Sequence, residues 1–539
     1  MRIVVSALWG TSLALSLALF AGPALALPPP PPPPPGSQPL PPPLAPLATP
    51  FPSEAPSDQG RPEPVELAGW ADGFFIRDAK DYFRFFPRAL LQTDVYGFAG
   101  PGVAAVPAVD GGVGLKTRLL VRRARLELGG EFLKRWTFRL IGEFGGQDLA
   151  NTSGATELSA SKAGQTPSAT SARYAPIQSV TAVAALNDVW VNFSVAPLLN
   201  FMVGQMTVPF SLENRISEDY NPWLDRSLPI RGFVVPNRKD LGGLVWGDVA
   251  HQLVAYELGV FGGDGQNRPS VDNYADFIGR VTARPFSANG TSMVAKTTQV
   301  GVSGRFGKRD PSSVAYDYPA MSTAQGFVLW SPAYTDALGR HVHVLPSDAQ
   351  AAIGGELRTQ FSIVSLSGEA YYVHNNTREA VEGYQLTNTE RLGTISGAGW
   401  YGQVTVWPAG DPFIPPEPGG SRTRALDLSK RGERPKRGLE LLGIVGGVNA
   451  KYDGAARGGA ADTKAPATDI TMYQFGLGAT WWQTKHIRLM ANYTAYYTPS
   501  SGSSANAAVV PSNIEKDTSG KVGTGHLLHE IGGRVSISF

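Results

Sequence analysis

Arginine side chains recur on the polar faces of this sequence, and their chemistry is informative. A guanidinium group is always charged, and its planar fork of N–H donors matches the oxygens of carboxylates and phosphates. Several such groups around one opening would favour anions over cations. The alternation of polar and apolar residues places the following arginines on an inward face: Arg123, Arg125, Arg135, Arg139, Arg280, Arg284, Arg305, Arg358 and Arg488.

Each of these arginines could instead form an ion pair with an acidic residue on a neighbouring strand. Acidic residues are plentiful on the same faces, at Asp94, Glu127, Glu143, Glu257, Asp276, Glu356 and Glu369. The sequence therefore predicts a mildly cationic lining as a whole and leaves open the role of any one arginine.

Catalytic, metal and nucleic-acid functions find little support in the composition. The chain has no Cys, seven His and a net charge of +2. Without Cys there is no disulfide framework, thiolate metal site or Cys nucleophile. No His has a convincing Ser partner and no Gly-x-Ser-x-Gly elbow occurs, so no catalytic residue, metal or cofactor is predicted. A charge this close to zero also argues against a nucleic-acid partner.

The arginines sit in segments that alternate with period two, which predicts strands. Many segments reach the ~9–11 residues that a transmembrane strand needs, and short turns alternate with long polar connections, as in outer-membrane barrels. We predict an all-β fold, a transmembrane antiparallel β-barrel of about 16 strands. The predicted strands are 84–97, 118–129, 134–145, 185–195, 200–208, 240–247, 251–261, 273–285, 296–307, 350–361, 362–374, 397–407, 438–452, 469–482, 486–498 and 526–539.

The last predicted strand alternates up to the final residue, Phe539. We expect it to pair with the first strand, because closure leaves no exposed sheet edge and satisfies every backbone polar group within the membrane. Two connections fit the pattern less simply. The turn 408–437 is long where a short one is expected, and the strand-like stretch 324–333 is assigned to a loop.

The N-terminal region divides into a signal peptide and a tether. Arg2, the apolar run 3–20 and the Ala-Leu-Ala ending at Ala26 predict a secretory signal peptide over 1–26; a signal anchor is the alternative. Residues 27–69, with eight consecutive prolines from Pro28, predict a disordered, semi-rigid periplasmic tether. The barrel is expected over 70–539.

Three stretches resemble the phosphate-selective porin O and P family: "LVRRARLELGGEFLKRWTFRLIGEFGG" (120–146), "LNDVWVNFSVAPLLNFMVGQMTVPFSLE" (186–213) and "NRKDLGG" (237–243). The resemblance implies a homotrimeric, sixteen-stranded porin whose loop after the fifth strand, about 209–239, folds into the lumen as a constriction. It also implies that Phe539 is read by the barrel-assembly machinery.

The resemblance assigns further residues to the anion path. The paired arginines of the family fall on Arg122 and Arg123, a basic position falls on Arg88, and an acidic position falls on Asp188. By strict alternation only one of the pair can face the lumen, and the phase favours Arg123. The predicted constriction loop has the basic residues Arg215, Arg226, Arg231, Arg238 and Lys239.

Four acids, Glu213, Glu218, Asp219 and Asp225, share that loop, and like charge repels an oxyanion. We therefore expect general porin function with a weak anion preference: an outer-membrane porin for passive diffusion of small anionic solutes, with phosphate-type oxyanions as candidates. Its expected surroundings are outer-membrane lipid and lipopolysaccharide of a Gram-negative cell. The alternatives are a barrel that binds or adheres through its external loops, an outer-membrane enzyme, and a soluble secreted β protein.

Overall fold

The computed structural model describes most of the predicted barrel. It covers residues 67–70, 73–99, 117–145, 185–232, 238–249, 253–287, 292–311, 318–319, 321–325, 328–330, 332, 334–335, 341–381, 391–410, 437–458, 467–497 and 527–539. The predicted signal peptide and all but the last three residues of the predicted tether lie outside these ranges.

The described chain is almost entirely β-structure. Its short helices are α1 (Leu212–Arg215), α2 (Leu228–Gly232) and α3 (Met293–Thr297). Its strands are β1 (Ala68–Trp70), β2 (Phe74–Arg77), β3 (Phe83–Ala99), β4 (Arg118–Phe132), β5 (Trp136–Glu143), β6 (Ala185–Ala196), β7 (Leu199–Thr207), β8 (Lys239–Val249), β9 (Val254–Phe261), β10 (Asp276–Ala283), β11 (Gln299–Arg309), β12 (Met321–Ser322), β13 (Val328–Trp330), β14 (Tyr334–Thr335), β15 (His341–Phe361), β16 (Val364–Val381), β17 (Leu392–Gly410), β18 (Gly438–Gly458), β19 (Ala467–Trp482), β20 (Ile487–Tyr497) and β21 (Leu527–Ser538).

Sixteen of the described strands, β3–β11 and β15–β21, form one closed antiparallel barrel, as predicted. Each strand pairs with the next, and the last, β21, pairs with the first, β3. At the seam Phe539 donates its N–H to the carbonyl of Ala89 at 3.0 Å, and Ala89 donates back to Phe539 at 2.7 Å. The terminal residue therefore takes part in closure.

Alternation along each strand separates a polar interior from an apolar exterior. On β21 the outward Ile531 and Val535 are 55% and 45% exposed, whereas the inward Glu530 and Arg534 are 2% and 3% exposed. This reverses the order of a soluble protein, because hydrocarbon surrounds a membrane barrel and its lumen holds the polar groups. No helix within the described residues is long and apolar enough to span a membrane.

The two ends of the barrel differ in their connections. Strands β15 and β16, for example, are joined by two residues, and β6 and β7 likewise, whereas β5 and β6 are separated by 144–184. The end that carries the two-residue turns and Phe539 is called the short-turn end here. Strand β17 ends and strand β18 begins at this end too, as the sequence indicated, and residues 411–436 of the long connection between them lie outside the described ranges.

Two predicted strand boundaries differ most from the structure. Strand β15 begins at His341 rather than 350, and β16 runs to Val381 rather than 374. The register shifts between Pro346 and Gln350, and Asp348 has a φ of 52°. This irregularity interrupts the alternation of polar and apolar residues. The part of the β15–β16 hairpin beyond it, far from the two-residue turn, therefore resembled a loop in the sequence.

Short strands outside the barrel complete the described fold. Strands β1 and β2 form a hairpin that joins β3 through the pair Ile76 and Phe85. Strands β12 and β13 form a separate two-stranded sheet. The stretch 324–333 was assigned to a loop, and β13 lies within it but outside the barrel wall.

Candidate functional site

Residues 208–232, called the lumen segment here, lie inside the barrel. They contact inward side chains from strands on all sides of the wall. Leu224 donates its N–H to Asn492 on β20 at 3.0 Å, and Leu228 donates to Gln474 on β19 at 2.7 Å. Asp225 pairs with Arg122 on β4, and Arg215 pairs with Glu257 on β9. A segment that reaches all these strands must cross the lumen.

The start of the lumen segment is held by Glu369 on β16. This carboxylate accepts the N–H groups of Leu212 at 2.8 Å and Glu213 at 2.7 Å, and the hydroxyl of Tyr401 donates to it at 2.6 Å. Ser211, the residue before Leu212, has a φ of 74° and a ψ of 141°, a positive-φ backbone conformation that is strained in a non-glycine residue. The contacts of Glu369 therefore offset a local backbone cost.

Glu218 lies at the centre of the charged cluster. It is 2% exposed and pairs with Arg226 at 2.6 Å, with Arg123 at 3.3 Å and with Arg238. Burial alone would raise the pKa of Glu218, but these three guanidinium groups outweigh burial and hold it well below its usual range. The single negative charge of Glu218 thus offsets part of the positive charge of three arginines that the sequence had assigned to the anion path.

Both members of the arginine pair face the lumen, so the prediction from strict alternation was wrong. Gln92 of β3 is opposite Arg123, but the next residue, Thr93, is opposite Val121. Arg122 is the extra residue of this β-bulge, and a bulge turns two successive side chains to one side. Arg122 pairs with Asp225 at 2.6 Å, and Arg123 donates to Gln92 at 2.9 Å.

The predicted cations on β3–β8 also face the lumen, and each has an acidic neighbour. Arg88 is 33% exposed and pairs with Asp219 at 3.1 Å. Arg125 pairs with Glu143. Arg139 lies between Glu127 at 2.9 Å and Asp188 at 3.6 Å, and Asp188 also pairs with Lys239.

The opposite part of the wall repeats the arrangement with one difference. Arg280 pairs with Glu356 at 2.6 Å and Arg305 with Asp276 at 2.7 Å. Arg284 follows β10 at the short-turn end, where burial lowers its pKa and Asp248 opposes that effect. Arg358 differs, because it forms no ion pair with a described residue and its Nε and Nη1 are buried without a hydrogen-bond partner among those residues.

The remaining predicted arginines have other surroundings. Arg231 of α2 donates to the hydroxyl of Tyr496 at 3.0 Å and lies over its ring at 5.7 Å. Arg488 donates to the carbonyls of Glu218 and Asn221 at 2.7 and 2.8 Å and so supports the lumen segment. Arg135 was wrongly placed on the inward face: it is an exposed residue of the turn between β4 and β5.

A cavity remains between the lumen segment and the wall formed by β3–β8. Six cationic and four acidic side chains line it, which leaves an excess of positive charge. Arg88 and Arg238 are its most open charges, with 33% and 27% of their side chains exposed. The cationic side chains are Arg88, Arg125, Arg139, Arg215, Arg238 and Lys239, and the acidic ones are Glu127, Asp188, Glu218 and Asp219.

The sequence reasoning missed a second inward segment. Residues around β12 and β13 were assigned to an external loop, yet Met321 and Leu329 are 0% and 1% exposed. Ala324 donates its N–H to the hydroxyl of Tyr496 at 3.1 Å, and Gln325 donates to Glu530 at 3.2 Å. The short apolar run around Val328 was the available signal.

One protein-family model matches part of the chain. The model of a family described as phosphate-selective porin O and P matches residues 97–312. No curated protein matches the chain. The family match over residues 97–312 therefore supports the resemblance that the sequence indicated.

Several solved structures are similar to this chain at low identity. The anion-selective porin from Comamonas acidovorans is 13% identical, with a TM-score of 0.41 over 85% of this chain and 100% of that one. The outer membrane channel DcaP of Acinetobacter baumannii is 10% identical, with a TM-score of 0.42 over 86% and 99%. OmpT of Vibrio cholerae in its trimer form is 9% identical, with a TM-score of 0.43 over 85% and 100%. None of the three says what this chain transports.

Proposed function

We propose that this chain, a member of the phosphate-selective porin O and P family, is an outer-membrane porin that lets small anions diffuse passively through a water-filled channel. The observation that carries the proposal is the cavity between the lumen segment and β3–β8, with its excess of cationic side chains. Arginine is suited to this task because it stays charged when partly desolvated.

The ion pairs argue for a weak anion preference rather than a dedicated phosphate site. Arg123, Arg226 and Arg238 share Glu218, and Arg88 is bound to Asp219. An entering oxyanion would have to compete with a carboxylate that is already in place, and would be repelled by it. The arginines then act as a diffuse positive field and as structural supports for the lumen segment.

Further features of the chain belong to the same proposal. Residues 209–239 form the constriction, residues 1–26 direct export and are cleaved after Ala26, and the Pro-rich arm is a periplasmic tether. Three copies associate through the side of the barrel wall that has the shortest strands. Strands β5, β9 and β10 on that side have 8 residues each, whereas β15 and β18 have 21 each. Lipid, lipopolysaccharide and the assembly machinery are the expected surroundings.

Single-channel recording of the refolded chain in a planar bilayer tests the proposal. The reversal potential is measured in a KCl gradient, and phosphate is then titrated. We expect a current that favours chloride over potassium and persists at millimolar phosphate. Block by low phosphate would contradict the weak-preference argument. The absence of any conductance would contradict the channel itself and favour a barrel that acts through its external loops.

A further inference from the structure

Arg358 on β15 lies at the short-turn end, away from the cluster around Glu218. Three residues separate Arg358 from the two-residue turn between β15 and β16. Its nearest acid in sequence, Glu356, is already bound by both Nε and Nη2 of Arg280 at 2.8 and 2.6 Å and by Gln299 at 3.1 Å. Leaving a guanidinium N–H buried without a partner is costly, so the position favours an added acceptor.

The surroundings of Arg358 form a cavity with polar and apolar sides. Ser367 lies directly across from it on β16, and Ser365 lines the same cavity. Arg284 is a second positive charge in the electrostatic environment of Arg358. Hydroxyl groups and guanidinium N–H groups are donors that suit an oxyanion.

The lumen segment supplies the apolar side of this cavity. Leu212 and Ile216 are 1% and 8% exposed, and with Pro222 they line the space beside Arg358. An inorganic oxyanion gains nothing from such contacts, whereas the hydrocarbon part of an organic acid does. On the far wall Glu440, whose carboxylate accepts the indole N–H of Trp482 at 3.0 Å, would repel a second carboxylate.

We propose that Arg358 anchors a binding site for a small organic monocarboxylate at the short-turn end of the channel. The carboxylate accepts N–H groups from Arg358 and a hydroxyl from Ser365 or Ser367. The hydrocarbon part packs against Leu212 and Ile216. The site rests on the proposed channel, because the ligand reaches it through the lumen, but it is separate from the cavity beside β3–β8.

Butyrate block of the chloride current in planar bilayers tests the site. We expect butyrate to reduce the wild-type current and Arg358→Gln to raise the half-blocking concentration about tenfold, equivalent to ~1.4 kcal/mol. Arg358→Lys keeps the positive charge but lacks the planar guanidinium group, so an intermediate half-blocking concentration is expected. Lys296→Gln, which removes an exposed positive charge in α3 at the same end of the barrel, should leave the value unchanged.

A chain-length series on the wild-type protein tests the apolar side without any substitution. Butyrate should block at lower concentrations than acetate, by about fourfold for each methylene that is fully buried. Equal block by acetate, butyrate and inorganic phosphate would overturn the assignment to an organic acid. An equal effect of Arg358→Gln and Lys296→Gln would overturn the site. A wild-type chain without chloride current would instead refute the proposed channel.

Discussion

Replacing Glu218 by Gln should make the channel more anion-selective. The carboxylate is buried among Arg123, Arg226 and Arg238, and the substitution removes one negative charge while those three cations remain. An ion that passes at about 6 Å interacts with a unit charge by ~0.7 kcal/mol even at the dielectric constant of water, and by ~3 kcal/mol at an effective value of 20.

The lower figure already predicts a measurable change. The barrier falls by ~0.7 kcal/mol for an anion and rises by as much for a cation, so the chloride-to-potassium permeability ratio rises about tenfold. The reversal potential in a KCl gradient reports this ratio. High salt should weaken the effect, because the Debye length falls to ~3 Å at 1 M.

Asp81→Asn is the matched control for this prediction. Asp81 also lies between two arginines, Arg77 at 3.5 Å and Arg84 at 3.0 Å, but in the turn that precedes β3. Its φ of 55° suits asparagine. The control should leave the permeability ratio unchanged. If Glu218→Gln behaves like the control while the barrel stays folded, ions do not pass beside Glu218 and the reasoning fails.

Three other perturbations follow from the same contacts. Arg122→Ala leaves Asp225 buried without its partner and should lower the free energy of unfolding by about 3 kcal/mol in a denaturant titration. Burial, reinforced by Glu369, raises the pKa of Glu213 to about 7 from 4.5, so this carboxyl contributes stability at pH 4.5 that is lost as the pH rises to 7. In thermal unfolding, Glu213→Gln should make the fall in melting temperature over that range less steep, and an unchanged pH dependence would contradict the prediction. Deleting Phe539 removes both bonds to Ala89 and should reduce the folded fraction in heat-modifiability gels; wild-type yield would argue against its role in closure.

The barrel could be predicted from sequence because its rule is local. Each strand alternates under the same constraint, lipid outside and polar lumen inside, and every predicted segment overlaps a barrel strand. The rule failed where the backbone departs from it. The bulge at Arg122 and the irregularity near Asp348 change the phase within a strand. Pro346 marks the second of these in the sequence, whereas no residue type marks the first.

The site was harder to predict because it depends on partners that are distant in sequence. Arginine positions are visible along a strand, but whether an arginine is paired depends on acids such as Asp225 and Glu218 that reach it from the lumen segment. The pairing of Arg280 with Glu356 joins residues 76 positions apart. Alternation alone cannot distinguish these arginines from Arg358.

Thiol labelling inside the conducting channel tests the central claim most directly, since the chain has no cysteine of its own. Asp219→Cys places a single thiol beside Arg88 in the cavity between the lumen segment and β3–β8. Lys80→Cys, in the exposed turn before β3, serves as the control. A negatively charged methanethiosulfonate reagent should reduce the current of the Asp219→Cys channel in discrete steps and leave the control unaffected. An Asp219→Cys channel that is labelled but keeps an unchanged current would contradict the claim that ions pass between the lumen segment and the wall.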